Sequence, residues 1–211
     1  MDTFTLYYQT WEDLWPNQQK TFVNFFQGDV LQAKSFYQSF FLSFNVFHEC
    51  AHALRCARGI HSTRYEEEWM ANLFAVGMVQ FLGEEDLLDR IKRDIDKILH
   101  IHGPLEQRYN EDFFNQHYDD LSKNPGLYGL FQLVFLQKAF SYKGTFVEII
   151  NQVLSTKLLK VPTLKDTYIL KEKPSEVIEL CKIIIEDMGL DFPNIDVCKK
   201  TTPNIQSISS N

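Results

Sequence analysis

The sequence contains few cysteines, and none of them has the spacing of a paired metal-binding or redox motif. Its 211 residues include four cysteines at positions 50, 56, 181 and 198, without a C-x-x-C pair. Cys50 lies inside a His-Glu-x-x-His motif, but on the wrong helical phase to be a co-ligand of the two histidines, His48 and His52. Scattered single cysteines are typical of reduced thiols. We therefore expect a cytoplasmic protein without a disulfide framework.

The chain also lacks the features of secreted, membrane-spanning and nucleic-acid-binding proteins. Its N-terminus shows neither a basic region nor the apolar segment of a secretory signal. No apolar run approaches the roughly 20 residues that span a bilayer. The net charge is −7 and the basic residues form no stripe, which argues against nucleic-acid binding. Internal repeats and a recognisable helix-turn-helix segment are absent from the sequence as well.

Apolar residues are plentiful and their spacing is mostly helical. They make up 45% of the chain, and 18 of them are phenylalanines. We predict a mainly α, zincin-like single domain over residues 1–198, with at most a minimal β-sheet and a flexible tail at 199–211. The pattern assigns a short strand to residues 3–8, no helix to 105–123, a turn to 124–131 that leads into a helix ending near 140, and helices to 16–26, 30–59, 63–82, 84–99, 144–159 and 174–189.

The strongest chemical signal is His-Glu-x-x-His within one predicted helix. His48 and His52 are four residues apart, so they project from one face with about 6 Å between them. That separation allows two imidazoles to bind one metal ion at roughly 2.1 Å each. Glu49 lies beside them, where a carboxylate serves as the general base of metal-assisted hydrolysis. Satisfied core histidines with a surface glutamate are the competing interpretation.

A third metal ligand is expected on the following helix. Glu68 and Asn72 lie four residues apart on one face of it, and the small Ala71 allows close helix packing. We predict that Glu68 binds the metal and that Asn72 forms a hydrogen bond with a ligand histidine. Glu67 lies about 100° around the helix and is the second candidate for the third ligand. A tetrahedral zinc ion with these three ligands keeps one open position.

These residues resemble a known metallopeptidase signature over about residues 44–76. His48-Glu49-Cys50-Ala51-His52, followed by Glu68-Trp69-Met70-Ala71-Asn72-Leu73-Phe74-Ala75, is similar to the HExxH…ExxAN-x-FA pattern of the ImmA/IrrE-type zinc metallopeptidases, and more broadly of the gluzincins. The resemblance implies zinc-ligand roles for the two histidines and Glu68, and the general-base role for Glu49. It also implies a regulatory protein as substrate. The metzincin pattern does not fit, because Arg58 stands where its third histidine would be.

Hydrolysis at zinc also calls for a donor that stabilises the developing oxyanion. Candidate donors are three histidines and three tyrosines between residues 100 and 128, namely His100, His102, Tyr109, His117, Tyr118 and Tyr128, whereas His61 is assigned to a surface loop. We favour Tyr128, because Pro125, Gly126 and Gly129 form a turn that could bring it to the metal. An ordinary amphipathic tyrosine, with its ring in the core, is the alternative.

The sequence therefore predicts a zinc-dependent metallopeptidase that acts on a peptide or protein substrate. Glu49 and Tyr128 are the predicted catalytic residues, and His48, His52 and Glu68 the zinc ligands. The first alternative is a helical interaction or regulatory protein whose metal site is structural or vestigial. An oxygenase with two histidines and one carboxylate ranks third, because its ligands usually come from strands.

Overall fold

The computed structural model describes residues 3–102, 110–159, 161–162, 170 and 173–201. As predicted, the fold is mainly helical with a minimal sheet. The helices in the described parts of the chain are α1 (Pro16–Phe25), α2 (Val30–Ser39), α3 (Asn45–Ala57), α4 (Arg64–Phe81), α5 (Glu85–His102), α6 (Glu111–Leu121), α7 (Pro125–Phe140), α8 (Phe146–Val153) and α9 (Pro174–Asp187). None of these helices is sufficiently long and apolar to cross a membrane.

The sheet consists of two parallel strands from opposite ends of the described chain. β1 (Thr3–Tyr8) pairs with β2 (Asn194–Lys199) from Thr3 opposite Asn194 to Tyr8 opposite Lys199. Parallel neighbours need a long crossover, and the whole helical body provides it here. The prediction of the first strand is confirmed. The second strand was not predicted, and it runs one residue past the predicted domain boundary at 198.

A π-helical turn joins α2 to α3 directly before the histidine motif. It covers Phe40–Phe44, and the Asn45 amide donates to the Phe40 carbonyl five residues back. The rings of Phe36, Phe40 and Phe44 stack in sequence at centroid distances of 5.4 and 5.5 Å. Single π turns often occur at functional sites. The helical prediction for 30–59 is thus confirmed, but the segment consists of two α-helices, α2 and α3, joined by this turn.

Helix α4 forms the centre of the core. Every residue from 70 to 79 is buried, because α3, α7 and α8 pack around this helix. Gly77 allows α4 and α8 to pack closely, since a Cβ at this position would lie 2.9 Å from Cγ2 of Ile149 on α8. A helix that is apolar on all sides belongs in the interior. Its first turns carry Glu68 and lie against α3, which fixes the distance between the two predicted ligand helices.

Three helices differ from the sequence-based prediction. α6 lies within the segment that was assigned no helix, and it buries Phe114 and Leu121 against α7. α7 begins at Pro125, inside the predicted turn over 124–131, because the Asn124 side chain caps it and a proline fits the first helical position. α8 ends at Val153, six residues before the predicted Leu159, because Ser155 adopts a positive φ of 51°, which is incompatible with a continued α-helix. The other helices match their predicted positions to within a few residues.

Candidate metal centre

Helix α3 brings the two histidines of the motif together at the surface of the core. The Nε2 atoms of His48 and His52 lie 3.0 Å apart, with the rings tilted by 81°. His48 is buried, with 4% of its surface exposed, and His52 is partly exposed. Two ring nitrogens at this separation can share one proton or bind one metal ion.

Glu68 supplies the third ligand atom from the first turns of α4. Its Oε2 lies 3.3 Å from His48 Nε2 and 3.8 Å from His52 Nε2. Three ligands at about 2.1 Å from a tetrahedral ion lie roughly 3.4 Å from one another. The three separations bracket this value, so the two histidines and Glu68 could hold a metal ion. Among the described residues, this trio is the group of histidine, cysteine and carboxylate side chains with suitable geometry.

Glu67, the alternative third ligand, binds the other side of His52. Its Oε1 lies 3.1 Å from His52 Nδ1, and its Oε2 accepts hydrogen bonds from Arg55 Nε at 2.8 Å and from the Ser62 hydroxyl at 3.0 Å. A carboxylate in this position fixes the orientation of the imidazole and leaves Nε2 facing the metal site. Glu67 therefore orients a ligand in this arrangement, whereas Glu68 faces the ligand atoms.

Arg55 anchors Glu67 to the rest of the fold. The guanidinium is buried, with 3% of the residue exposed, and its three nitrogens all have partners. Besides Glu67, it donates to the Val153 carbonyl at the end of α8 at 2.6 Å and to the Ser62 hydroxyl at 3.0 Å. The planar guanidinium carries several N–H donors that point in different directions, so it can bind three partners at once. Sequence reasoning missed Arg55, although its position three residues after His52 places it on the face that α4 approaches.

Helix α7 holds the carboxylate of Glu68 from the opposite side. The Tyr128 hydroxyl donates to Oε1 at 2.9 Å, and Gln132 Nε2 donates to Oε2 at 2.7 Å. Asn72 Nδ2 donates to the Gln132 side-chain oxygen and to the Glu68 carbonyl, each at 2.9 Å. Asn72 was predicted to bind a histidine, but its amide instead orients Gln132. Gln132 itself was missed; a polar residue four positions after Tyr128 on an apolar helix was the available signal.

The surroundings determine the charge state of these groups. Burial raises the pKa of Glu68, but hydrogen bonding and charge attraction from the histidines outweigh it and bring the pKa to about 2. Burial likewise raises the pKa of Glu67, and the bonds from His52 and Arg55 lower it to about 2. For His52, burial lowers the pKa, but Glu67 and the nearby carboxylates raise it by more. The pKa of His52 therefore lies above its ordinary value. Burial raises the pKa of Tyr128 above that of an ordinary tyrosine, so its hydroxyl keeps its proton and acts as a donor.

Glu49 lies beside the ligand atoms and remains open to solvent. Its side chain is exposed, and Asn45 Nδ2 donates to its Oε1 at 3.2 Å. Adjacent residues on a helix point about 100° apart, so Glu49 projects past His48 towards solvent. An exposed carboxylate next to a three-ligand group can accept a proton from a nearby water.

A polar cleft of about 980 Å³ opens over the ligand group. Its lining includes both motif histidines, the neighbouring glutamates at 49, 67 and 68, the predicted donors Tyr118 and Tyr128, and also the loop residue His61. His100 on α5 and His117 on α6 are exposed elsewhere and do not line this cleft. The side chain of His102 and the whole of Tyr109 lie outside the described residues. Of the predicted donors, the structure thus brings the two tyrosines to the site.

In comparisons with known proteins, no family model, curated protein or solved structure matches this chain.

Proposed function

We propose that this protein is a zinc-dependent metallopeptidase, with His48, His52 and Glu68 as the zinc ligands. The observation that supports the proposal most is the spacing of the three ligand atoms, at 3.0 to 3.8 Å, beneath an open cleft. Two imidazoles and one carboxylate are typical zinc ligands, and catalytic zinc sites use three protein ligands whereas structural sites use four.

The general base in this proposal is Glu49. A zinc ion in the site supplies an acidified water and polarises the scissile carbonyl. The Glu49 carboxylate accepts the proton of that water at one of its Oε atoms and then delivers it to the nitrogen of the leaving amine. Asn45 fixes this carboxylate by its hydrogen bond to Oε1. Exposure of Glu49 to the cleft lets it reach both water and substrate.

The proposed ligand geometry depends on the groups around it. Glu67 directs His52 through Nδ1, while Tyr128 and Gln132 hold the carboxylate of Glu68. Because the Tyr128 hydroxyl already donates to Glu68, its primary role here is to position that ligand. The prediction that Tyr128 stabilises the oxyanion stays a prediction. Tyr118 lines the same cleft and is the other tyrosine within reach.

The alternative is a helical interaction protein with a vestigial metal site. One observation favours it: the Nε2 atoms of the two histidines and the Glu68 carboxylate contact one another directly, which gives these three groups polar partners without an ion. The exposed Glu49 and the open cleft have no role in that alternative. The two functions therefore differ in whether the purified protein binds zinc and cleaves peptides.

The decisive experiment compares Glu49→Gln with the wild type and with a control, Glu66→Gln. Glu66 is an exposed glutamate of the first turn of α4 and does not line the cleft. We expect one zinc per chain in all three proteins, measured by elemental analysis after dialysis. Cleavage of a mixed fluorogenic peptide library should fall by about 10²- to 10⁴-fold in Glu49→Gln only. Zinc-free protein, or full activity in Glu49→Gln, would contradict the proposal.

A further inference from the structure

A second cavity, of about 410 Å³, adjoins the polar cleft at the candidate metal centre. The two spaces have three lining residues in common: His48, Glu49 and Tyr128. The second cavity extends away from them between α1, the π-helical turn and α7. A ligand that reaches the metal ligands from the cleft can thus place one of its groups in the second cavity.

Phenylalanine and tyrosine rings form a large part of the wall of this cavity. Phe22, Tyr37 and Phe41 pack against one another at centroid distances of 5.2, 5.4 and 4.7 Å. Phe22 and Phe41 are half-buried and line the cavity, so part of each ring remains free for a ligand. Such ring faces bind apolar and aromatic groups through edge-to-face and stacked contacts.

Charges occur only at the margins of the cavity. Among the described residues that line it, Glu49 and Lys200 are the only acidic or basic side chains apart from His48. Glu49 belongs to the boundary with the metal centre, and the Lys200 ammonium lies 4.6 Å from the centre of the Tyr7 ring. A charged group placed between the aromatic rings would lose hydration without an ionic partner. An apolar group would gain from the same transfer.

We propose that this cavity binds one large apolar side chain, preferably aromatic, of the peptide substrate next to the bond that is cleaved. The inference rests on the proposed peptidase function and specifies its substrate class. The cavity measures about 410 Å³, near the lower end of the range of about 300–1,000 Å³ for ligand pockets, so it has room for one large side chain. The polar cleft, at about 980 Å³, holds the remaining backbone and its polar groups.

Two positions allow the cavity to be reshaped in opposite directions. Gly129 lines it from α7, and a Cβ there would meet Phe25 at 3.8 Å, an ordinary contact. Gly129→Ala therefore fits, whereas Gly129→Leu extends into the cavity and makes it smaller. Phe41→Ala removes a ring from the opposite wall and makes it larger. Neither residue belongs to the proposed ligands or the general base.

The test uses peptides that are identical except for Phe, Leu, Ala or Asp at one position, scanned along the sequence. At one position we expect kcat/KM for Phe to exceed that for Ala by about 10- to 200-fold, the range for filling an apolar pocket. Gly129→Leu should reduce this ratio to below about threefold, and Gly129→Ala should retain it. Phe41→Ala should shift the preference from Phe towards Trp. Zinc content and thermal unfolding identify variants that are misfolded.

Failure of this inference is distinguishable from failure of the proposed function. Cleavage without any Phe preference, or with a preference that Gly129→Leu leaves unchanged, overturns the pocket alone. If no peptide is cleaved, the pocket is tested by binding of N-acetyl-phenylalaninamide, followed by the NMR methyl signals of Leu133 in the cavity wall. Shifts in the wild type that Gly129→Leu abolishes support an aromatic pocket. Equal shifts with N-acetyl-alaninamide, or no shifts, overturn it.

Discussion

Glu67 and Glu68 are neighbours on α4, but their side chains lie in regions of opposite character. On the Glu67 side, Arg55, Ser62 and the end of α8 form a hydrogen-bonded network that connects three segments of the fold. On the Glu68 side, the carboxylate faces the histidine nitrogens and is held by Tyr128 and Gln132. One step along the helix thus separates a carboxylate that joins structural elements from one that faces the candidate metal ion.

The difference shows how one helix supplies two kinds of carboxylate. Glu67 has a permanent cation, Arg55, as its partner, so its charge is balanced in the folded protein whether or not a metal is present. Glu68 has neutral donors and the two histidines, so an additional cation would be favourable there. We therefore expect changes on the Glu68 side to affect metal binding first, and changes on the Glu67 side to affect stability first.

The largest expected effect is the loss of zinc in Glu68→Gln. An amide is a much weaker zinc ligand than a carboxylate, because it lacks the negative charge. Glu67→Gln should weaken zinc binding by only about 10- to 100-fold, the usual cost of losing a partner that orients a ligand histidine. Competition with a chelator of known affinity measures both values. A larger loss in Glu67→Gln would identify Glu67 as the ligand, and equal losses would contradict the different roles assigned to the two glutamates.

A second, smaller effect concerns the stability of the metal-free protein. Arg55→Met leaves the carboxylate of Glu67 without its cation in a largely buried position, where breaking an ion pair costs about 3–5 kcal/mol. Because one fifth of the Glu67 side chain is exposed, we expect the lower end of that range. Urea unfolding in the presence of a chelator measures the free energy.

Two controls accompany the Arg55 measurement. The double variant Arg55→Met with Glu67→Leu removes both charges, and it should recover part of the lost free energy. Lys123→Met breaks an exposed pair with Asp120, in which 75% and 83% of the side-chain surfaces are open to solvent. That variant should change the free energy by less than about 1 kcal/mol. If Arg55→Met resembles Lys123→Met, the Glu67 network does not stabilise the fold.

The ligand helices and the histidine pair could be predicted from the sequence because they depend on local spacing. Four residues between His48 and His52 place both on one face of any α-helix. The choice between Glu67 and Glu68 depends instead on how α4 is rotated against α3, which packing decides. The roles of Arg55 and Gln132 depend on residues about 100 and 60 positions away. β2 was missed for the same reason, since its partner strand lies at the other end of the chain.

The smallest expected effect is a pH dependence that zinc should remove. Burial lowers the pKa of His52, but the hydrogen bond that its Nδ1 donates to Glu67 and the charges of the nearby carboxylates produce a net rise. A raised pKa stabilises the folded state fully below the unfolded value of about 6.5, and the gain is lost as the pH rises through the folded value. Metal-free protein should therefore become less stable as the pH increases above about 6.5. Zinc binds only the neutral imidazole, so this decrease should be absent in the loaded protein.

The two glutamates should differ in this pH dependence as well. The bond from Glu67 is the largest contribution that raises the pKa of His52, and the charge of Glu68 follows it. Glu67→Gln should therefore weaken the pH dependence of the metal-free protein more than Glu68→Gln does. Urea midpoints between pH 6 and 9, together with the NMR titration of His52, provide the comparison. A stronger effect of Glu68→Gln would mean that the metal-facing carboxylate, and not the structural one, controls the charge of His52.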